Sequence, residues 1–556
     1  MAVYSEEGYE NAKPDVLDSE PPILEDGYAL KERERQEIAV DGILKKTRRG
    51  LKPRHIQMIT ISGSIGTGLF VGSGAALAHG GPLSLLLGYI IIALNTWVTF
   101  NAMGEMVCYL PIDGSFILYA ERYVDRSFSF ALGWFFVIKG SISFANEGVA
   151  IAGLVNFWNT DINNAVWIGT SIVVMAAINF LSSKYFGEAE FHMSIFKILL
   201  IIGLILFSFI TMVGGNPQHD AFGFRYWRDP GLMNEYLATG AAGRFSGFWS
   251  ILISASYAFG VPDFVANTAG ETKHPRRVLP RVFPLVIFRL CTFYVLGALA
   301  VGIVVPYNDK RLGLALKGAG SSPFVLAAQR MGIPGLGSVI NAAVLTSALS
   351  NGVEGMFSTS RGLYGLALKG KAPKVFTVTK NGVPVMCLLW VISISLLGFM
   401  TVSKGSAVVF TWFTRMIGSN LLLIGMCFNW VYIRFNRAMK AQGKDRNKLP
   451  YKLRGQYVMS WIAMLSYGLF WITNGYSVFI KGKWNYQTFL FSYLSIAFIS
   501  IPYIGHRLYS RNWSFKPLSE VDLDTGLAEV EALEEFDRKQ PLPTGRWAKF
   551  DRWLWG

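Results

Sequence analysis

Long apolar runs alternate with short polar segments along most of this chain of 556 residues. A helix needs about 20 apolar residues to cross the hydrocarbon core of a bilayer, and each run is near that length. The runs predict about twelve transmembrane helices, near residues 56–78, 83–108, 127–156, 165–181, 190–213, 246–269, 282–305, 333–360, 383–401, 407–433, 457–480 and 486–506. The expected fold class is therefore an all-α integral membrane protein.

The remaining polar stretches predict the domain organisation. An N-terminal tail at 1–50 precedes a membrane domain at 51–510, and a C-terminal tail follows at 511–556. The acidic stretch at 529–535 within that tail has two interpretations, a short amphipathic helix or a solvated segment.

The first predicted span is rich in small residues. Three glycines and three hydroxyl residues fill six of the seven positions of segment 62–68 (SGSIGTG). Such residues permit close helix packing, but a cluster this dense near mid-span favours local unwinding, because glycine weakens a helix interior. Unwound backbone is tolerated in a bilayer where it lines a cavity, and the helix that resumes presents free N–H groups to a carboxylate. The candidate binding residues at this break are Ser64, Ile65, Gly66, Thr67 and Gly68.

A second break is predicted in the sixth span. Pro262 removes an amide donor and clashes with the preceding turn, while Gly260 relaxes the backbone beside it. Asp263 places a carboxyl group at membrane depth, where an ionisable side chain needs a partner or a function. Breaks in spans one and six suit two inverted repeats of five helices followed by two extra helices.

Composition and charge agree with a membrane protein. Apolar residues make up 52% of the chain and charged residues 16%, and the mean hydropathy is +0.35. The net charge of +15 is concentrated in short loops on one side of the predicted spans, which indicates the cytosolic side and not nucleic-acid binding. The N-terminal tail has no apolar segment typical of a cleavable signal peptide, so the N-terminus is predicted to be cytosolic. The excess of Lys and Arg in the loops on that side predicts that both termini are cytosolic. The four cysteines lie in or near apolar runs and are predicted to be unpaired.

Short motifs along the membrane domain carry a family resemblance. They lie at 49–55 (RGLKPRH), 63–70 (GSIGTGLF), 114–116 (GSF), 130–134 (FALGW), 186–191 (FGEAEF), 269–271 (AGE) and 370–374 (GKAPK). Together they resemble the fungal amino acid permease family, which belongs to the amino acid–polyamine–organocation superfamily. The resemblance implies an amino acid transporter with the LeuT-like 5+5 inverted repeat, in which helices 1 and 6 are broken.

A narrower resemblance is to the dicarboxylic amino acid permease branch. It rests on 222–231 (FGFRYWRDPG), on 307–309 and 521–523, and on Lys139 in the third span. This resemblance implies glutamate or aspartate as the substrate. Two positions depart from the expected patterns: Glu147 stands where that branch has a glutamine, and Glu354 stands where the family has small polar residues. Neutral and cationic amino acids therefore stay open as substrates.

Ionisable residues at membrane depth are candidate functional residues, and a structural ion pair is the alternative for each. They are Lys139, Glu147, Lys197, Asp263 and Glu354. Lys139 and Glu147 are about two helical turns apart and share a face of the third span. By the family resemblance, Lys197 corresponds to a lysine that takes the place of a sodium ion in proton-coupled members. It is the candidate proton-coupling residue, and the alternative is that it snorkels to the membrane surface.

The predicted function is import of an amino acid by proton symport, with acidic amino acids favoured. The resemblance implies that amides at Gly66, Thr67 and Gly68 bind the α-carboxylate, and that carbonyls near Ile65 and Phe259 accept from the α-ammonium. A non-transporting amino acid sensor of the same fold is the alternative. An enzyme is disfavoured, because the chain has no H-E-x-x-H, Walker-type or G-x-S-x-G motif.

The predicted partners follow from this function. They are a small-molecule amino acid, a proton and the lipid bilayer, together with trafficking machinery that meets the cytosolic tails. No cofactor, metal or nucleic acid is predicted. The predicted location is the plasma membrane.

Overall fold

The computed structural model describes residues 53–111, 115–181, 183–260, 272, 275–312, 322–380, 382–539 and 545–546. Regular structure in these residues is almost all helical. In chain order the α-helices are α1 Pro53–Ser64, α2 Ser73–Tyr109, α3 Ser115–Tyr123, α4 Arg126–Val155, α5 Asn164–Phe180, α6 Ser183–Met212, α7 Arg225–Arg228, α8 Gly240–Phe259, α9 Pro275–Val304, α10 Pro323–Arg330, α11 Leu336–Leu368, α12 Val385–Ser395, α13 Thr401–Lys404, α14 Ser406–Ala441, α15 Gln456–Ile472, α16 Tyr486–Ser510 and α17 Leu527–Lys539.

Each predicted span coincides with a helix or with a broken pair of helices. Among the described residues, eight helices are long and apolar enough to cross a bilayer. The helices α5, α8 and α15 match predicted spans four, six and eleven but are shorter or less apolar. Large apolar side chains such as Val173, Leu206 and Leu465 are exposed on the outside of the bundle. Exposed apolar surface of this extent suits contact with lipid.

The first span is broken where the small residues cluster. Helix α1 ends at Ser64, and Ile65 and Gly66 leave the helical path. The chain re-enters a helix through a π-helical turn, Gly68–Gly72, which continues into α2. The prediction of local unwinding in this segment is confirmed.

Glycine and proline separate the first two spans inside α2. Gly81 has φ 79° and ψ 175°, and Pro82 follows it. A side chain is strained at such a positive φ, and proline cannot continue the ladder of the preceding turn. The long helix is therefore bent into two spans at this point, within the predicted gap between residues 78 and 83.

The sixth span also stops at a glycine. Helix α8 ends at Phe259, and Gly260 has φ 64° and ψ −165°, a conformation that favours glycine. The helix therefore ends at the predicted position, and the residues that would follow the break, 261–271, lie outside the described residues. Pro262 and Asp263 lie outside the described residues.

Helix packing divides the bundle into two groups. The first group consists of α2, α8 and α9, which pack against one another through α2. The second group consists of α4 and α11, which pack together. Helix α14 contacts both groups, through α2 and α8 of the first and α4 of the second. The two broken spans belong to the first group, and the candidate residues Lys139 and Glu147 belong to α4 in the second. The candidate site therefore lies between the groups.

The chain after α16 folds back onto the end of the bundle where α4 begins. Arg507 of α16 pairs with Asp125 at 2.8 Å, and Asp125 also accepts from the Phe128 N–H at the start of α4 (2.8 Å). Val521 and Leu523 of the tail are buried against the membrane domain. Helix α17 includes the acidic stretch at 529–535. This stretch is therefore helical, in agreement with the first of its two interpretations.

All four cysteines lie in described helices. Each is a free thiol, so the prediction that they are unpaired is confirmed.

Candidate functional site

A cavity lies between the two helix groups at the level of both breaks. Its empty space, counted together with the open mouth, is about 690 Å³. Its lining includes Gly63, Ser64, Gly66, Thr67 and Gly68 of the first span; Phe136, Lys139, Gly140, Ser143 and Glu147 of α4; Tyr257, Ala258 and Gly260 of the sixth span; and Asn351, Glu354, Gly355, Ser358 and Thr359 of α11. Ile417 and Leu421 of α14 complete the lining, so the cavity brings together five spans that are far apart in sequence.

Thr67 links the first break to α4. Its hydroxyl donates to Glu147 Oε1 at 3.1 Å, and the Asn351 side-chain amide donates to the same oxygen at 2.8 Å. The other carboxylate oxygen of Glu147, Oε2, is buried and has no hydrogen-bond partner among the described residues. Since a buried acceptor without a partner is costly, this oxygen is available to a donor on a bound molecule.

Tyr257 closes one end of the cavity. Its hydroxyl lies 3.0 Å from the Thr67 hydroxyl and accepts from the Asn146 side-chain amide at 2.8 Å. A hydroxyl has only one hydrogen. Thr67 gives its hydrogen to the Glu147 carboxylate, so Tyr257 donates to Thr67. The result is a directed chain of hydrogen bonds from Asn146 to Glu147.

Tyr294 of α9 ties the two breaks together. Its hydroxyl is within hydrogen-bonding distance of the Ala258 carbonyl oxygen, at 2.6 Å, and of the Ser64 carbonyl oxygen. Both carbonyls lie at helix ends, where the ladder of backbone hydrogen bonds stops. Tyr294 is fully buried, so it holds these two ends at a fixed separation inside the bundle.

Close approach at the breaks requires glycine. A Cβ built on Gly68 would lie 2.7 Å from the backbone Cα of Ala258, and one built on Gly66 would lie 2.7 Å from the side-chain nitrogen of Asn351. The first contact is with backbone, which cannot rotate away. The break in the first span therefore packs directly on the end of α8 because Gly68 has no side chain, and against Asn351 of α11 because Gly66 has none.

Charged side chains line the opposite part of the cavity. Lys139 and Glu354 are both nearly buried, and the Lys139 ammonium lies 5.1 Å from the centre of the Phe136 ring. Cation–π attraction of this kind stabilises a partly desolvated ammonium. Two carboxylates, those of Glu147 and Glu354, and one ammonium thus face the same cavity.

Lys197 lies behind the cavity and not in its wall. It is fully buried, so it does not snorkel to the surface. Its ammonium interacts electrostatically with Glu190, Glu354 and Glu147, and Ser350 donates to Glu190 at 3.1 Å. Glu354 therefore stands between the cavity and the buried lysine.

Most of the predicted binding residues meet at one place. The cavity is lined by Ser64, Gly66, Thr67, Gly68, Lys139, Glu147, Gly260 and Glu354. The side chains of Ile65 and Phe259 are buried in the packing beside it, and Asp263 is outside the described residues.

Sequence reasoning missed Tyr257, Asn351, Tyr294 and Glu190. Only Glu190 carries a recognisable signal, because it lies about two turns before Lys197 on the same helix face. The other three have ordinary polar side chains within apolar runs.

A family model described as amino acid permease matches residues 55–517. This match covers most of the chain and all of the cavity. The chain therefore belongs to the amino acid permease family, and it is a membrane transporter of amino acids and not an enzyme. The resemblance drawn from the motifs is confirmed.

Curated relatives agree over nearly the whole chain. The proline-specific permease of Emericella nidulans is 40% identical, with 89% of this chain and 91% of that protein covered. The proline-specific permease of Saccharomyces cerevisiae is 39% identical, with 91% and 83% covered. The dicarboxylic amino acid permease of the same yeast is 38% identical, with 86% and 80% covered.

A solved transporter shares the fold. The crystal structure of the Eremococcus coleocola manganese transporter, in complex with an aromatic bis-isothiourea substituted compound, superposes with a TM-score of 0.53 at 13% sequence identity. It covers 83% of this chain and 94% of its own. At this identity the likeness concerns the fold alone, and it agrees with the predicted LeuT-like all-α architecture.

Proposed function

We propose that this permease imports an amino acid by proton symport and binds it across the two helix breaks. The observation that carries the proposal is the cavity in which Thr67, at the first break, meets Glu147 of α4 and the end of α8. The Thr67 side chain makes no capping bond to the turn that follows it. The first N–H groups of that turn therefore need another partner, and an α-carboxylate is a suitable one.

The α-ammonium is assigned to the opposite side of the same cavity. Carbonyl oxygens at the ends of α1 and α8, near Ile65 and Phe259, have no backbone N–H group of a following helical turn to accept from. The open oxygen of Glu147 adds a charged acceptor. These groups together recognise the part of the molecule that all α-amino acids share.

A neutral amino acid is the proposed substrate class. Glu147 and Glu354 face the cavity against the single ammonium of Lys139 among the described lining residues, so a second substrate carboxylate would meet net negative charge. Two of the similar permeases are named proline-specific. An acidic amino acid is the second candidate, because Lys139 lines the cavity and one similar permease is named dicarboxylic.

Proton coupling is assigned to Lys197 and its acidic neighbours. A buried lysine releases its proton more easily than one in water, because burial disfavours the charged form. Glu354 contacts the substrate cavity and interacts with Lys197. Binding in the cavity can therefore alter the electrostatic environment of the lysine, which is the requirement for coupling.

The test is uptake of labelled proline, glutamate and lysine in a host that lacks amino acid transport. We expect proline uptake that increases at acidic external pH and collapses with a protonophore. Uptake that requires sodium and resists the protonophore would contradict proton symport. Glutamate uptake lost selectively in Lys139→Met would support the acidic candidate instead. Binding of an amino acid without any uptake would favour a sensor.

Plasma-membrane location and cytosolic termini belong to the same proposal. The excess of Lys and Arg in loops on one side of the spans supports this orientation. A single cysteine introduced in either tail should be protected from an impermeant reagent in intact cells and react after permeabilisation. Reaction of one tail alone in intact cells would contradict an even number of spans.

A further inference from the structure

A second cavity lies on the far side of Tyr257 from the first. It encloses about 1,020 Å³ including its opening, between the start of α2, helices α8 and α14, and the turn at Tyr476. Tyr257 lines both cavities, so its side chain is the partition between them. By the proposed orientation, the second cavity opens toward the outside, and we call it the outer cavity.

Arg415 contributes a positive charge to the lining of the outer cavity. It lies on α14 inside a segment that is apolar enough to span a bilayer, and it lines the outer cavity. None of the ion pairs formed by the described residues includes Arg415. A cation at membrane depth without a carboxylate partner is costly and marks a candidate path or binding site.

Aromatic residues around Arg415 are held in place by their own contacts. Tyr236 interacts electrostatically with Arg415, and the Tyr236 ring stacks on His79 with centroids 4.1 Å apart. His79 in turn lies 3.1 Å from the Ser250 hydroxyl. Tyr476 donates to the Ser246 carbonyl at 2.8 Å. These contacts hold polar aromatic side chains in the lining of the cavity that contains Arg415.

Part of the lining of the outer cavity is apolar. Val71, Ile253 and Phe410 line it, and the Phe410 ring packs edge-on against Tyr257 with centroids 6.4 Å apart. A cavity with one cation and an apolar wall suits a molecule with one carboxylate and an apolar body. Guanidinium groups bind carboxylates with two parallel hydrogen bonds.

We propose that the outer cavity is a second binding site for the transported amino acid, in which Arg415 holds the α-carboxylate before the molecule passes Tyr257. This inference rests on the proposed transport function. It adds a place where an amino acid is captured before it reaches the helix breaks. Passage between the sites then requires Tyr257 to release its hydrogen bonds to Thr67 and Asn146.

Equilibrium binding to the purified permease separates the two sites. The probe is labelled proline, or glutamate if uptake identifies that amino acid as the substrate. We expect two molecules per wild-type protein, one for Thr67→Leu, one for Arg415→Gln, and none when the substitutions are combined. A single molecule on the wild type, or two on Arg415→Gln, would overturn the inference while leaving amino acid transport intact. Wild-type protein that neither binds nor takes up any amino acid of the panel would overturn the proposed function itself.

Uptake kinetics provide an independent measurement that does not depend on stoichiometry. Loss of a charge-assisted contact should increase the KM of Arg415→Gln for external substrate about tenfold. Arg415→Lys keeps the charge and should show a smaller increase. Lys404→Gln removes a cation from an exposed residue of α13 and is the matched control, with unchanged KM. Equal KM values for all three variants and the wild type, at equal surface abundance, would contradict the role of Arg415.

Recognition of the carboxylate itself is tested with the amide of the substrate. In Thr67→Leu, where only the outer site is expected to bind, unlabelled proline should displace labelled proline and prolinamide should not. Displacement by prolinamide at similar concentrations would show that Arg415 does not select a carboxylate.

Discussion

The substitution Gly68→Ala tests the geometry of the two helix breaks. The added methyl carbon would lie 2.7 Å from the Ala258 backbone Cα, about 0.7 Å inside the 3.4 Å at which ordinary contact begins. Because the obstacle is backbone, the first span and the end of α8 must separate by a similar distance. Overpacking of this kind costs about 1–3 kcal/mol of stability, and displacement of binding groups by about 1 Å can reduce a rate up to a hundredfold.

We therefore expect Gly68→Ala to lower the ratio of maximal uptake rate to KM by about ten- to a hundredfold. The protein should still reach the membrane, with a lower Tm after purification. Gly203→Ala is the matched control, because a Cβ on Gly203 has no atom within 4 Å and the residue lies on the exposed side of α6. It should transport as the wild type does. Wild-type kinetics and Tm in Gly68→Ala at equal abundance would refute the close packing of the two breaks.

Three further predictions follow from other contacts. Thr67→Leu should abolish uptake while the protein still reaches the membrane, because a bulky apolar group crowds the amides at the break. Thr67→Ser keeps the hydroxyl and should retain most uptake. An unchanged KM in Thr67→Leu would place the site elsewhere. Lys197→Ala should lose accumulation against a gradient but retain exchange of labelled for unlabelled substrate, and normal accumulation would exclude this lysine from coupling. Arg507→Met breaks a buried pair with Asp125 and should destabilise the protein by about 3–5 kcal/mol, measured as a lower Tm. Arg126→Met, which removes an exposed cation 3.7 Å from Glu121, should change the Tm little, and equal shifts in both variants would count against a special role for the Arg507 contact.

The fold was largely predictable because its signals are local. A transmembrane helix is a continuous apolar run, so its position can be found from a single segment. The breaks were predictable for the same reason: Gly66 and Gly68 weaken a helix wherever they occur, and Gly260 beside Pro262 does so again. The membrane environment restricts such breaks to places where the backbone is buried in protein or lines a cavity, which is why glycine-rich segments in the sequence pointed to the candidate site.

The same residues did not lead to a single predicted substrate. Lys139 and the outer-loop motif favoured acidic substrates, while Glu147 and Glu354 opposed them. The structure places all three side chains around one cavity, so the proposed substrate class rests on the balance of charge there and not on any one residue. A sequence motif gives the residue types but not the distances between the charges.

The sequence by itself determined the helices, the two breaks and the set of buried charges, because each follows from the chemistry of a short segment in a bilayer. Only the tertiary structure decided which side chains meet. Thr67 contacts Glu147 from 80 positions away and Tyr257 from 190 away, and Asn351 reaches Glu147 across 204 positions. Nothing local in Tyr257, Asn351 or Tyr294 distinguishes them from other polar residues of membrane helices. Their roles arise from helix packing, since hydrogen bonds of 2.6–3.1 Å form only after distant spans have been brought together around the cavity.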